Sequence, residues 1–134
     1  MILDKENLFS DDQAITVTAD ATNVIDLGND DAKVQALNEK GDVKILCQVT
    51  TAFAGGTSIA AVVKSDDSST MASATTLITT AAINTASLVA GYQFTVSGLP
   101  LINEQYLGMS FTVVGTMSAG AITAGIVRDL QTNV

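Results

Sequence analysis

The sequence contains no histidine and no tryptophan, and only one cysteine, one proline and two tyrosines among 134 residues. Each scarcity removes a class of function. Without His, the usual general base, the imidazole metal ligand and most nucleophile-activating triads are missing. A single cysteine, Cys47, excludes an intramolecular disulfide. Within Val43-Lys44-Ile45-Leu46-Cys47-Gln48-Val49 it falls in step with Val43, Ile45 and Val49, which predicts a buried strand thiol. No apolar run approaches the ~20 residues that a membrane span needs. Cations are also scarce: 6 Lys and Arg face 14 Asp and Glu, for a net charge of −8 and a pI near 4.1. A nucleic-acid binder needs clustered cations to displace counterions from phosphates, and attachment to an anionic membrane asks for the same. Neither kind of partner is expected. The opening Met1-Ile2-Leu3-Asp4-Lys5-Glu6 has acids where a secretory signal carries a basic and then an apolar region. The expectation is a protein made and kept in a cytoplasm until it assembles onto something.

The chemistry that remains is thin. Lys64-Ser65 are adjacent, but neighbouring strand side chains point to opposite faces, so they form no dyad there. Glu104 and Asp129 would be a carboxylate pair only through tertiary placement. Ala54-Gly55-Gly56 lacks the Lys and the following helix of a phosphate loop. The doublets Asp11-Asp12, Asp30-Asp31 and Asp66-Asp67 miss the alternating acids of a calcium loop and are expected as solvated turn residues. Arg128 reads either as a surface partner of a neighbouring acid or as an interface anchor. No catalytic residue, cofactor or metal site is therefore expected.

Small aliphatic residues dominate what is there: 47% of the chain is hydrophobic but only 4% aromatic. Large rings carry much of the burial energy in ordinary cores, so such a chain is expected to add stability by association. Period-two patterning recurs, as in a half-buried strand. Val43, Ile45, Cys47 and Val49 share a face; so do Tyr92, Phe94 and Val96; so do Leu107, Met109, Phe111 and Val113; Ile15 and Val17 make a shorter pair. Asn23 to Leu27, Thr75 to Thr80 and Ala121 to Asp129 are further strand candidates. Ala54-Gly55-Gly56 reads as a hairpin turn into Ser58 to Val63, Ser65 to Ser69 as a polar loop, Ser97 to Pro100 as a turn, and Gly115 to Gly120 as the last connection. About seven or eight short strands predict a single antiparallel β-sandwich of the jelly-roll type over residues 13–134. Asp30 to Gly41 carries a short-helix signature. Residues 1–12 show no clean period and read as an extended N-terminal arm; its Leu3, Leu8 and Phe9 are candidate docking residues, with Arg128 as a fourth.

These residues resemble the jelly-roll cement, or decoration, proteins of short-tailed bacteriophages. The opening Leu8-Phe9-Ser10-Asp11-Asp12-Gln13-Ala14-Ile15-Thr16-Val17-Thr18-Ala19 and then Thr22 to Gly28 is similar to that family's opening. Gln48 to Phe53 and Lys64 to Asp67 echo its middle; Tyr106-Leu107, Phe111 to Thr116 and Thr123 to Val127 echo its end. The chain departs from the pattern at Gln105 and Gly108, where a basic residue is common, and in the length of Asp30 to Gly41. The resemblance implies a homotrimer on the outer capsid surface of a virion, seated between capsomers of the major capsid protein. There it would brace the shell against the pressure of packaged DNA. Two other roles stay open: a glycan- or host-surface-binding sandwich of a virion, using Tyr92 or Tyr106, and a structural subunit that forms its own lattice.

Overall fold

The structure, a computed structural model, describes residues 5–28, 43–100, 102 and 104–127. Leu3, Arg128, Asp129 and the helix expected over Asp30 to Gly41 lie outside the described residues. Among those residues the chain forms strands β1 (Leu8–Ala14), β2 (Ala19–Asp20), β3 (Ile25–Asp26), β4 (Lys44–Gly55), β5 (Ser58–Asp66), β6 (Thr75–Thr79), β7 (Ile83–Asn84), β8 (Gln93–Val96), β9 (Tyr106–Val114) and β10 (Met117–Val127). One sheet runs β1-β10-β4-β8. The other runs β2-β9-β5-β6, with β3 also on β9 and β7 also on β5. Every pairing is antiparallel, and the fold is an all-β sandwich, as the periodicity predicts.

The alternating faces close on one another. Ile45, Cys47 and Val49 of β4 and Ile122 and Ala124 of β10 face Ile59, Ala61 and Val63 of β5 and Leu107, Met109 and Phe111 of β9 in a single buried cluster. Three of the four phenylalanines, Phe9, Phe53 and Phe111, belong to it.

Two turns differ from the sequence reading. Ala54-Gly55-Gly56 does not close a hairpin: β4 and β5 stand in different sheets, and the turn carries the chain across the sandwich. A glycine turn suits either job, and only the distant partners of β4 decide between them. Ile15 and Val17 do not share a strand. Ile15 is buried at the end of β1, whereas Val17 is exposed in the crossing from β1 to β2.

The N-terminal arm is also shorter than expected. Residues 8–12 belong to β1, and Phe9 is 0% exposed. The sequence hides this strand because its register shifts between Leu8 and Ser10 and again between Ser10 and Gln13. Such bulges break the alternation. Asp12 takes a left-handed φ of 48° at the second shift. Its backbone N–H donates to Thr123 Oγ1 at 2.8 Å, and its Oδ1 accepts from the Thr50 hydroxyl. Residue 50 is itself skipped in the pairing of β4 with β10. One aspartate therefore joins three adjacent strands and ties the irregularity of β1 to that of β4.

A second aromatic site closes the far part of this sheet. Gly120 has φ 140°, and a Cβ there would lie 2.2 Å from Phe53 Cδ1. The ring needs the bare backbone. Gly120→Ala should lower stability by about 2–4 kcal/mol, from overpacking and a disfavoured φ, measured by chemical denaturation. A change below ~0.5 kcal/mol would show that the ring has room to move. Deleting residues 1–12 should cost more than ~3 kcal/mol, since it strips Phe9 from the core and most of β1 from its sheet. An unchanged melting temperature would return these residues to the status of an arm.

Candidate interaction surface

The polar groups inside the sandwich serve the fold. Ser10, 0% exposed, donates its hydroxyl to the Ile122 carbonyl at 3.1 Å. Asp66, expected as a solvated loop acid, is buried at the end of β5. Its carboxylate accepts the backbone N–H groups of Ser68 (3.2 Å) and Ser73 (2.9 Å), and so holds the loop into β6 in shape. The Asp-x-Ser spacing is a local signal for the first of these bonds; the second depends on tertiary structure. Lys64 and Ser65 point apart as expected. Lys64 Nζ pairs with Asp20 Oδ1 at 2.7 Å, while the Ser65 hydroxyl donates to Glu104 Oε1 at 2.8 Å. Among the described residues no buried side-chain N or O lacks a partner.

The sequence-predicted contact residues divide. Phe9 is in the core and is unavailable for docking. Leu8 is half-buried and lines an open cleft of about 600 Å³ with Lys5, Glu6, Thr22, Asn23 and Val24. The cleft is held by β1, whose Phe9 carbonyl accepts from Asn23 N–H at 2.9 Å. The tyrosines stand apart. Tyr92 leads into β8 and packs on the core with its ring centroid 6.3 Å from that of Phe94; Tyr106 opens β9 in the other sheet. Gly108, a departure from the cement-protein pattern, leaves room for Met71, since a Cβ there would lie 2.9 Å from the Met71 methyl carbon.

Charge is spread unevenly along the chain. Residues 45–63, 68–103 and 105–127 contain no Asp, Glu, Lys or Arg. The topology gathers parts of these runs at one end of the sandwich, where β1 ends, β4 crosses to β5, β7 ends beside the start of β5, and β9 crosses to β10. Thr57 N–H donates to the Val114 carbonyl, Thr85 N–H to Thr57, and Met117 N–H to Thr16, which binds the four segments together. Val113 N–H donates to Thr18 Oγ1 at 2.9 Å. Val17 is bracketed by these bonds, and Val17 and Val114 are 52% and 53% exposed. Val89, 55% exposed, lies on the flank of the same half. The described residues that border the remaining segments, Lys5, Gly28, Val43 and Val127, all sit toward the other end, with Asp26, Lys44, Asp66 and Glu104.

Cys47 is sealed inside, and burial pushes its thiol up from 9.0 to about 12 by penalising the thiolate. The unfolded chain loses this proton near 9.0, whereas the folded chain holds it to about 12. Stability from this group is therefore complete below the lower value and drains as pH rises toward the upper one. The loss is up to about 1.4 kcal/mol per pH unit. Urea titrations across that range should show a steeper alkaline decline for the native protein than for Cys47→Ala. Parallel declines would mean that the thiol is not shielded.

No curated protein matches this chain. Residues 9–126 match the Bbp16 family. The match opens inside β1 and closes inside β10, so it takes in both sheets of the sandwich. The chain belongs to the Bbp16 family, whose name is phage-related.

Proposed function

We propose that this protein is a capsid cement protein: it binds the outer surface of a phage shell between capsomers, as a homotrimer, and braces the shell against internal pressure. The observation that carries the reading is the winding of the chain. Counting β2 with β3 and β6 with β7 as interrupted strands, the sheets take the chain order first-eighth-third-sixth and second-seventh-fourth-fifth. That is the order of an eight-stranded jelly roll, the fold that the resemblance to cement proteins implies. The phage-related family adds support. The net charge of −8 also suits an outer surface, because the inner surface would set like charge against DNA.

The cleft beside β1 is the surface we assign to the shell, with Leu8 as its apolar contact. Each such contact is weak, and a multimer makes it effective by turning later binding events into intramolecular ones. Purified protein mixed with expanded shells of its cognate phage should co-sediment with them and raise the temperature at which they rupture. Leu8→Asp should weaken binding by about tenfold or more, equivalent to ~1.4 kcal/mol, without altering the circular dichroism spectrum. Failure of the native protein to bind any such shell would sink the reading.

A further inference from the structure

We propose that the open edge formed by β6 and β7 takes up an extended segment of the major capsid protein as an added strand. The inference rests on the cement reading and gives it a second element of contact, separate from the cleft beside β1.

The sheet edges are not alike. β1 carries Asp11 and Asp12, shifts its register twice, and has its Phe9 carbonyl occupied by Asn23 N–H. β2 and β3 are two residues each and end on Asp20 and Asp26. β8 is four residues long, and Ser97-Gly98-Leu99 leads from it to Pro100. Charge, bulges, shortness and proline are the devices that keep an edge from pairing with another chain. β6 and β7 use them least. They follow β5 from Ser65, opposite Thr75, to Ser58, opposite Asn84, roughly 25 Å at ~3.3 Å per residue. Residues 75–84 hold no charge, proline or glycine, and six of the ten are Thr or Ile, which favour strands. β6 has one register shift, between the partners of Val63 and Lys64.

The edge is open. Thr80 N–H donates to the Ala61 carbonyl at 2.9 Å, so in this antiparallel ladder Thr79 turns its N–H and C=O away from β5. Among the described residues no strand lies beyond β6 or β7. Thr75, Thr76, Thr79, Ala81, Ala82 and Asn84 are exposed.

Two features select the occupant. A row of alternating N–H and C=O groups is matched only by another extended backbone, the mode by which a peptide adds a strand to a sheet. Charge then separates a foreign segment from a second copy. Asp67 is exposed two residues beyond Ser65, at the Thr75 end of the edge. Lys64, on the same strand, is already held by Asp20 at 2.7 Å. A second copy of this edge brings no cation to Asp67, because residues 68–103 contain none. Antiparallel pairing of the edge with itself would also close a two-fold dimer and not the three-fold multimer of the proposed role. The segment is therefore a β-branched, uncharged stretch of the capsid protein with a Lys or Arg at the end beside Asp67.

The test is hydrogen exchange of the full chain, free and bound to expanded shells of its cognate phage. Bound protein should exchange the amides of residues 75–84, Thr79 among them, about tenfold or more slowly than free protein. Thr79→Pro removes one outward N–H and leaves the β5 ladder intact. It should weaken co-sedimentation with shells by about tenfold or more, with an unchanged circular dichroism spectrum. Asp67→Lys should weaken it too, by setting like charges together. Native protein that binds shells without slower exchange at residues 75–84 overturns the inference and leaves the cement reading standing. So does full binding by Thr79→Pro or by Asp67→Lys. Slow exchange at these residues already in the free protein, with a sedimented mass that Thr79→Pro lowers, would give the edge to a second copy and overturn it as well. Native protein that binds no shell sinks the cement reading and this inference with it.

Discussion

Two chain crossings lying against each other hold the sandwich in shape. β4 passes to β5 at Gly55-Gly56-Thr57, and β9 passes to β10 at Gly115-Thr116. These four strands are the central pairs of the two sheets, β10 with β4 and β9 with β5. Gly56 N–H donates to the Thr116 carbonyl and Thr57 N–H to the Val114 carbonyl, each at 2.8 Å. There is no spare space: a Cβ on Gly115 would lie 3.1 Å from Gly56 Cα, and one on Gly55 would lie 2.9 Å from Thr116 O. Positive φ at all three positions asks for glycine on conformational grounds as well. The registers of both sheets start from this corner, so their mutual alignment is set where the two layers are joined.

That joint also governs what the sequence reveals. Where a strand buries one face without interruption, as over Ile45 to Val49 or Leu107 to Val113, the alternation is plain and the structure repeats it. Where the ladder is irregular, the pattern fails. β1 buries Phe9 and Ser10 in succession because its register shifts on both sides of Ser10, so a strand reads as an arm. Ile15 and Val17 alternate across a crossing in which only the first turns inward. The glycines of β4–β5 are legible as a turn, but whether the turn closes a hairpin or spans two sheets depends on β4 pairing with residues about seventy positions away. Asp66 is visible as an acid in a polar run. Its burial is not, because half of its partnership comes from Ser73.

The candidate surface was legible only in part, for the same reason. Long stretches without charge are visible in the sequence, yet a stretch is not a surface. β10 is free of charge along its whole length, and only its first residues reach the uncharged end. The antiparallel order turns four separate connections toward one end, and the acidic loop from β5 to β6 lies at the other. Leu8 was legible as an apolar docking candidate of an opening segment and is half-buried in the cleft, whereas its neighbour Phe9, alike in sequence, is claimed by the core.

The scarcity of aromatics acts on the exterior as it does on the core. Ordinary contact surfaces are centred on Tyr, Trp, Met or Arg anchors that each bury a large area. The surfaces here offer valine, threonine, alanine and glycine. A half-exposed valine that becomes covered contributes on the order of 1 kcal/mol. Association costs several kcal/mol in lost translational and rotational freedom, roughly 4–15 by various accounts. A few such side chains therefore leave little surplus for a lone encounter with one partner. The balance changes when one copy touches several neighbours at once, since the entropic cost of joining is met once and each further contact adds to it. A chain with this composition is thus poorly made for a solitary, high-affinity binding event, and well made for membership in a repeating assembly whose strength comes from the number of its contacts.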